Sequence, residues 1–328
     1  MPVPQKRIFD ALPGIEAPVG AIASSLAGMW SDAVEQGRPA PAEEDSTATQ
    51  VNFVLHLGLN AGAEDAVAQF GTVVAFSRRY PCRVVVLCPL HDDDSDTEMR
   101  CKVYGECTVG KTRDDARCCE FVMLSYPRSL RQYLESQVSV FLSTDLPLYY
   151  WAHGFATNSG LADYRYFLTD SKRVLIDSSE APAGAMVYPW PRPEAMRDLV
   201  AARLLPVRQG IGQFLSRYPM DVLSGGLRAV SVEHGAGLEP EGRVLVDWLK
   251  DRLGACAAAF GCAPAKDAAA RTLSVAFAYD GAKSFTWCGD LAAGHALFSA
   301  DFGSGATTLP ASVSLLSPDD ALSEAMFF

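Results

Sequence analysis

The sequence has no run of 18 apolar residues, and its opening stretch, MPVPQKRIFD, has no apolar leader core. Neither a membrane-spanning helix nor a secretory signal is expected. Nowhere in the 328 residues do more than two Lys or Arg stand side by side, and the net charge is −11. A chain this acidic and without basic blocks suits neither nucleic acid nor an anionic membrane. The expectation is a cytoplasmic protein with no nucleic-acid or membrane partner.

Catalytic signatures are missing as well. There is no G-x-S-x-G and no H-E-x-x-H, the patterns that place a nucleophilic serine or a zinc-bound water. Nine cysteines are present, but no C-x-x-C and no H-x₃₋₅-H, so no metal centre is expected. Cys82 and Cys88 flank RVVVL and would lie roughly 20 Å apart along one strand. Cys101 and Cys107 have the same spacing. The neighbours Cys118 and Cys119 would point to opposite faces of a strand, against an easy bond between them. An odd number of cysteines suits a reducing compartment, and most read as small buried apolar residues.

What is present is an alternation of strand and helix patterns. TQVNFVLHLGL (49–59) is strand-like, GAEDAVAQFGTVVAFSRRY (62–80) has helical spacing, and CRVVVLCPL (82–90) is a continuous β-branched run. This order predicts a parallel pair with a right-handed crossover. MRCKVYGEC (99–107) and RCCEFVMLSYP (117–127) read as strands, 128–142 as an amphipathic helix, 146–154 and 172–179 as further strands. Past the Pro-rich 181–194 come helices at 194–205 and 206–217, a strand at 225–235, and a helix over 241–260. A hairpin around YDGAK, a strand near 295–300 and a closing helix at 318–327 finish the chain. The fold class expected is two α/β domains with mixed sheets. Residues 1–48 read as a helix and linker, 49–182 as the first domain and 183–328 as the second.

GECTVGKT (105–112) matches the phosphate-loop pattern G-x-x-x-x-G-K-T. That loop works when a strand ends at its first glycine and a helix starts near its lysine. Only RDDAR separates Thr112 from the β-rich CCEFVML, too short for a helix that packs on a sheet. The match reads as a polar hairpin connection. HDDDSDTE (91–98) reads as a solvated acidic loop, since it lacks the glycine and distant Glu of a calcium loop.

His56, His91, His153, His234 and His295 are scattered and read as structural. One convergent polar set is expected, His153 with Asp145 and Asp177 near strand ends, because carboxyl ends of parallel strands gather at one edge.

Several stretches in order resemble the family of the glucose-6-phosphate dehydrogenase assembly protein OpcA. They are TQVNFVLHL with Asn52, SRRYPCRVVVLCP, RCCEFVML with Cys118, Cys119 and Glu120, and LSTDLPLYYWAHG with Asp145 and Pro147. RVLIDSSEA with Asp177, Ser178 and Ser179, ARLLPVRQGIGQFL, and LSPDDALSEAM follow. The resemblance is continuous over 49–215 and thin between 220 and 310. Where the family often has two adjacent tryptophans, this chain has YYW.

The resemblance implies a non-catalytic partner of glucose-6-phosphate dehydrogenase, with no cofactor, that helps the enzyme assemble or become active in the oxidative pentose phosphate pathway. Aromatics dominate interfaces, so Tyr149, Tyr150, Trp151, Tyr188 and Trp190 are the candidate contacts, with half of a strand's aromatics expected in the core. Asp145 and Pro147 read as turn and strand-entry residues. The alternative is an enzyme for a sugar phosphate or nucleotide, using Gly105–Thr112 and the strand-end carboxylates. A thiol sensor built on Cys118, Cys119 or another cysteine is compatible with the first reading.

Overall fold

The computed structural model describes residues 7–41, 49–91, 97–108, 117–254, 256–266 and 271–328. They form two compact units: one runs to Asp198 and takes in Leu322–Phe328, the other is Leu199–Ala321. Both are α/β with mixed sheets, the fold class the patterns predict.

The first unit opens with α1 (Ile8–Ala11), β1 (Ile15–Ala17) and α2 (Ile22–Glu35). β1 pairs antiparallel with β4 (Arg100–Thr108), so this segment is more than a helix and a linker. Lys102 holds it down: its ammonium, buried, donates to the carbonyls of Phe9 at 2.8 Å and Leu12 at 3.1 Å. A buried cation demands such acceptors, and the end of a helix supplies them.

The crossover predicted from 49–90 is formed by β2 (Val51–Leu57), α3 (Ala63–Ser77) and β3 (Cys82–Pro89), the strands pairing in parallel. Every residue of β2 is buried, as a strand covered on both faces requires. β4 and β5 (Arg117–Tyr126) make an antiparallel hairpin. Next come α4 (Leu134–Phe141), β6 (Leu148–His153), α5 (Asn158–Ala162), α6 (Arg165–Asp170), β7 (Arg173–Ile176) and β8 (Met196–Asp198). The eight strands lie in the order β1-β4-β5-β3-β2-β6-β7-β8. The three-residue β8, inside the stretch read as helix, carries the first unit past residue 182.

The second unit has α7 (Leu199–Arg203), α8 (Leu205–Leu215), α9 (Met220–Ser224), β9 (Leu227–His234) and α10 (Glu239–Leu253). β10 (Ala259–Pro264), β11 (Thr272–Tyr279), β12 (Ser284–Asp290), β13 (His295–Asp301) and β14 (Thr307–Ser312) follow. Their order is β10-β9-β11-β12-β13-β14. α10 ends at Leu253, capped by Gly254 at φ +66°, where the pattern reads on to 260; β10 begins at Ala259. On β12 burial alternates strictly, exposed then buried, so one sheet face packs on helices. Phe214 of α8 stacks on Phe298 of β13 with ring centroids 4.6 Å apart. α11 (Pro318–Phe327) closes the chain. Its Phe327 lies against Phe76, Tyr80 and Tyr149.

Candidate functional site

In the first sheet the chain moves outward from β2 through β3 on one side, and from β6 through β7 to β8 on the other. The reversal falls between β2 and β6, and the crevice outside such a reversal is where open parallel sheets bind ligands. There the backbones that follow β2 and β6 hydrogen-bond to one another. Gly58 donates its N–H to the carbonyl of His153 at 2.6 Å, and Asn60 donates to the carbonyl of Gly154 at 2.9 Å. A Cβ on Gly58 would meet that Gly154 oxygen at 2.4 Å. Gly154 itself has φ +68°, a conformation that favours glycine.

Beside this clasp sits His153, 3% exposed, at the end of β6. Its Nε2 lies 2.7 Å from Asp65 Oδ2 and 3.5 Å from Glu180 Oε2. Asp65 belongs to the first turn of α3, where a carboxylate complements the helix dipole. Glu180 follows β7, and a pocket next to it is lined by His153, Asn158, Asp177 and Glu180. One donor atom from each of Asp65, His153 and Glu180 falls within 4.8 Å of the others. The set can relay a proton, and these are the residues that could ligate a divalent cation.

The partners of His153 therefore differ from those expected. Asp177 lines the same pocket, but its Oδ1 accepts from the backbone N–H of Ser179 at 2.9 Å and from the Ser179 hydroxyl. Asp145 precedes β6 and stands, exposed, at the opposite end of the strand. The sequence signal for Asp65 is its place just after a strand, in a helical first turn. That for Glu180 is only its nearness to Asp177.

The other family-motif residues are mostly structural. Asn52 is buried; its amide donates to the carbonyls of Ser143 at 2.7 Å and Leu146 at 3.1 Å, and its Oδ1 accepts from Ser143 N–H. It pins the turn that carries Asp145 and Pro147 into β6. Ser178 donates its N–H and hydroxyl to Asp198 of β8.

The aromatic run lies in the core. Tyr149, Tyr150 and Trp151 are 1%, 0% and 3% exposed. The expectation that one face of this strand is free fails because β6 is an interior strand covered on both faces. Tyr150 stacks on Phe167 with centroids 5.0 Å apart. Its hydroxyl meets His56 Nδ1 at 2.7 Å, and His56 Nε2 meets the Tyr126 hydroxyl at 2.7 Å, which in turn meets that of Tyr164 at 2.7 Å. Burial lowers the His56 pKa to about 3 and raises those of Tyr126 and Tyr150. His56 is a neutral, satisfied core histidine. Trp190 is also buried, donating to the carbonyl of Ala185 at 2.6 Å, while Tyr188 is half-buried against it.

The Cys-Cys-Glu strand divides its roles. Cys118 forms a disulfide with Cys107, its partner across the β4–β5 hairpin. Spacing along each strand has no bearing on this pair, which is set across two strands. Cys119 is buried and donates to the carbonyl of Ser77 at 3.3 Å. Its hydrogen bond with Cys82 holds its pKa down to about 7 against burial. Glu120 accepts from the Trp30 indole N–H at 3.0 Å.

The phosphate-loop pattern resolves in part. β4 runs on through Gly105 to Thr108, with Gly105 opposite Glu120, and the chain is again a strand from Arg117. No strand ends at Gly105. Lys111 and Thr112 lie outside the described residues, as does most of the acidic 91–98 loop.

Residues 73–188 match the family model described as the glucose-6-phosphate dehydrogenase subunit N-terminal domain, of the OpcA assembly family. A curated relative, the "Putative OxPP cycle protein OpcA" of Synechocystis sp., is 24% identical over 182 residues. That match covers 53% of this chain and 37% of the relative, so the chain spans little more than a third of its length. Among solved structures, an aldose-aldose oxidoreductase from Caulobacter crescentus, complexed with glycerol, aligns over 84% of this chain and 87% of its own. The identity is 11% and the TM-score 0.39.

Proposed function

We propose, from the premise that residues 73–188 are an OpcA-family domain, that this protein binds glucose-6-phosphate dehydrogenase and promotes its assembly or activity. It would act in the cytoplasm, in the oxidative pentose phosphate pathway, and without catalysing a reaction. The family match over β3 to β7 is the observation that carries this reading.

Such a protein works by differential affinity. It binds one conformation or oligomer of the dehydrogenase more tightly than another, and shifts the equilibrium by no more than that difference. A tenfold preference corresponds to about 1.4 kcal/mol.

The test is to mix the purified protein with the dehydrogenase of the same cell and measure the size of what elutes. A new, larger species containing both chains is expected. Two unchanged peaks at concentrations well above micromolar would overturn the proposal.

A further inference from the structure

Two carboxylates approach Nε2 of His153 from different elements, Asp65 from the first turn of α3 and Glu180 from the segment after β7. The side chain of His153 is 3% exposed, that of Asp65 35% and that of Glu180 54%. The imidazole is therefore a closed floor and Glu180 an open lip through which a solute can enter. The two negative charges repel, and a cation set among the three donors removes the repulsion.

The distances suit an ion. With bonds of about 2.1 Å, neighbouring ligands of one ion stand about 3.0–3.4 Å apart. Nε2 lies 2.7 Å from Asp65 Oδ2 and 3.5 Å from Glu180 Oε2, and all three atoms fall within 4.8 Å of one another. Loss of the Nε2 proton opens the shorter contact and frees the nitrogen lone pair for a metal.

The surroundings point the same way. Asp65 is oriented from behind: its Oδ1 accepts from Gln69 Nε2 at 2.9 Å, which leaves Oδ2 to the site. Metal-binding carboxylates carry such support. Asn158, at the start of α5, lines the adjoining pocket. Its Nδ2 donates to the carbonyl of Ala183 at 3.1 Å, while its Oδ1 is buried with no partner among the described residues. A buried acceptor calls for a donor, and a metal-bound water is one. The cavity there is about 10 Å³, room for a single water-sized body. An organic ligand is too large for it.

We propose that Asp65, His153 and Glu180 bind one divalent transition-metal cation, with water completing its shell. One imidazole nitrogen and two carboxylate oxygens, without sulfur, suit Mn²⁺, Fe²⁺, Co²⁺ or Zn²⁺ better than Ca²⁺ or Cu⁺. The ion joins the start of α3, the end of β6 and the segment after β7, so its binding stabilises the folded chain. The ligands come from three elements, and no short spacing in the sequence announces them.

The experiment is a Co²⁺ titration of the chelator-treated full chain, followed by visible absorption and by Tm. One Co²⁺ per chain is expected, with d–d bands, no thiolate-to-cobalt band, and a raised Tm. Glu180→Gln and Asp65→Asn should each weaken binding at least about tenfold. Glu180 is more than half exposed, so the metal-free Tm of Glu180→Gln should match the parent's while its response to Co²⁺ is lost. Absence of d–d bands would overturn the proposal. A thiolate band would assign the ion to cysteines, and binding that both variants leave unchanged would assign it to another acidic surface; either result overturns it too. The titration contains no dehydrogenase, so its failure is separate from failure of the proposed function.

Discussion

Gly105 lies directly under the indole of Trp30. A Cβ at position 105 would fall 2.3 Å from that ring, on the strand opposite Glu120, which accepts the same indole's N–H. The first glycine of the phosphate-loop pattern is thus explained by packing between α2 and β4. Gly105→Ala should destabilise by about 1–3 kcal/mol, the usual result of overpacking. Chemical denaturation checks this, and a neutral substitution would show that α2 does not pack there.

The same relationship bears on nucleotide binding. Titration calorimetry with ATP or GTP should show no heat, and Lys111→Ala should change stability by no more than about 0.5 kcal/mol. Nucleotide binding that Lys111→Ala abolishes would restore the enzyme alternative.

Tyr150 and Trp151 are both core residues, so Tyr150→Ala and Trp151→Ala should behave alike. Each should cost about 3–5 kcal/mol and lower the Tm. Tyr150→Phe is milder: it strands one ring nitrogen of buried His56, a loss of about 1–3 kcal/mol. A Trp151→Ala protein with unchanged Tm and weakened dehydrogenase binding would place that side chain on the surface instead.

His56 should shape the acid limb of stability. Its folded pKa, about 3, lies below the ordinary value of 6.5 because burial disfavours the cation. The unfolded chain therefore takes up the proton first as pH falls. The stabilisation is complete above pH 6.5 and is lost as pH drops toward 3, at about 1.4 kcal/mol per pH unit from this one group. Urea midpoints at pH 7, 6 and 5 measure it. His56→Gln should flatten that slope; an unchanged slope in the variant would assign it to carboxylates alone.

Reducing Cys107–Cys118 opens a short hairpin loop and should lower stability by about 2–4 kcal/mol. The dehydrogenase should respond equally to the reduced and oxidised protein while both are folded. A reversible change in that response, mapped to Cys118 or Cys119, would promote the thiol-sensor reading.

The crossover, the hairpin at 99–127 and the closing helix were legible because they are long and periodic. β1 and β8 were not: each has three residues and is a strand only because a neighbour pairs with it. The site divided in the same way. His153 was legible as a strand-end residue. Its partners Asp65 and Glu180 come from other elements, and the fold brings them together. Strand alternation placed half of the YYW run at a surface; it could not reveal that β6 is interior, with both faces covered. The Cys107–Cys118 bond is likewise a property of register across the hairpin, invisible to spacing along the chain.

An effect on the dehydrogenase is read by one titration. The specific activity of glucose-6-phosphate dehydrogenase, and its affinity for glucose 6-phosphate, are followed as this protein is added in increasing amounts. A saturable rise in activity or affinity is expected, and, by linkage, tighter binding of this protein when substrate is present if substrate affinity is what changes. A flat titration, at concentrations where the two proteins are shown to form a complex, would contradict it.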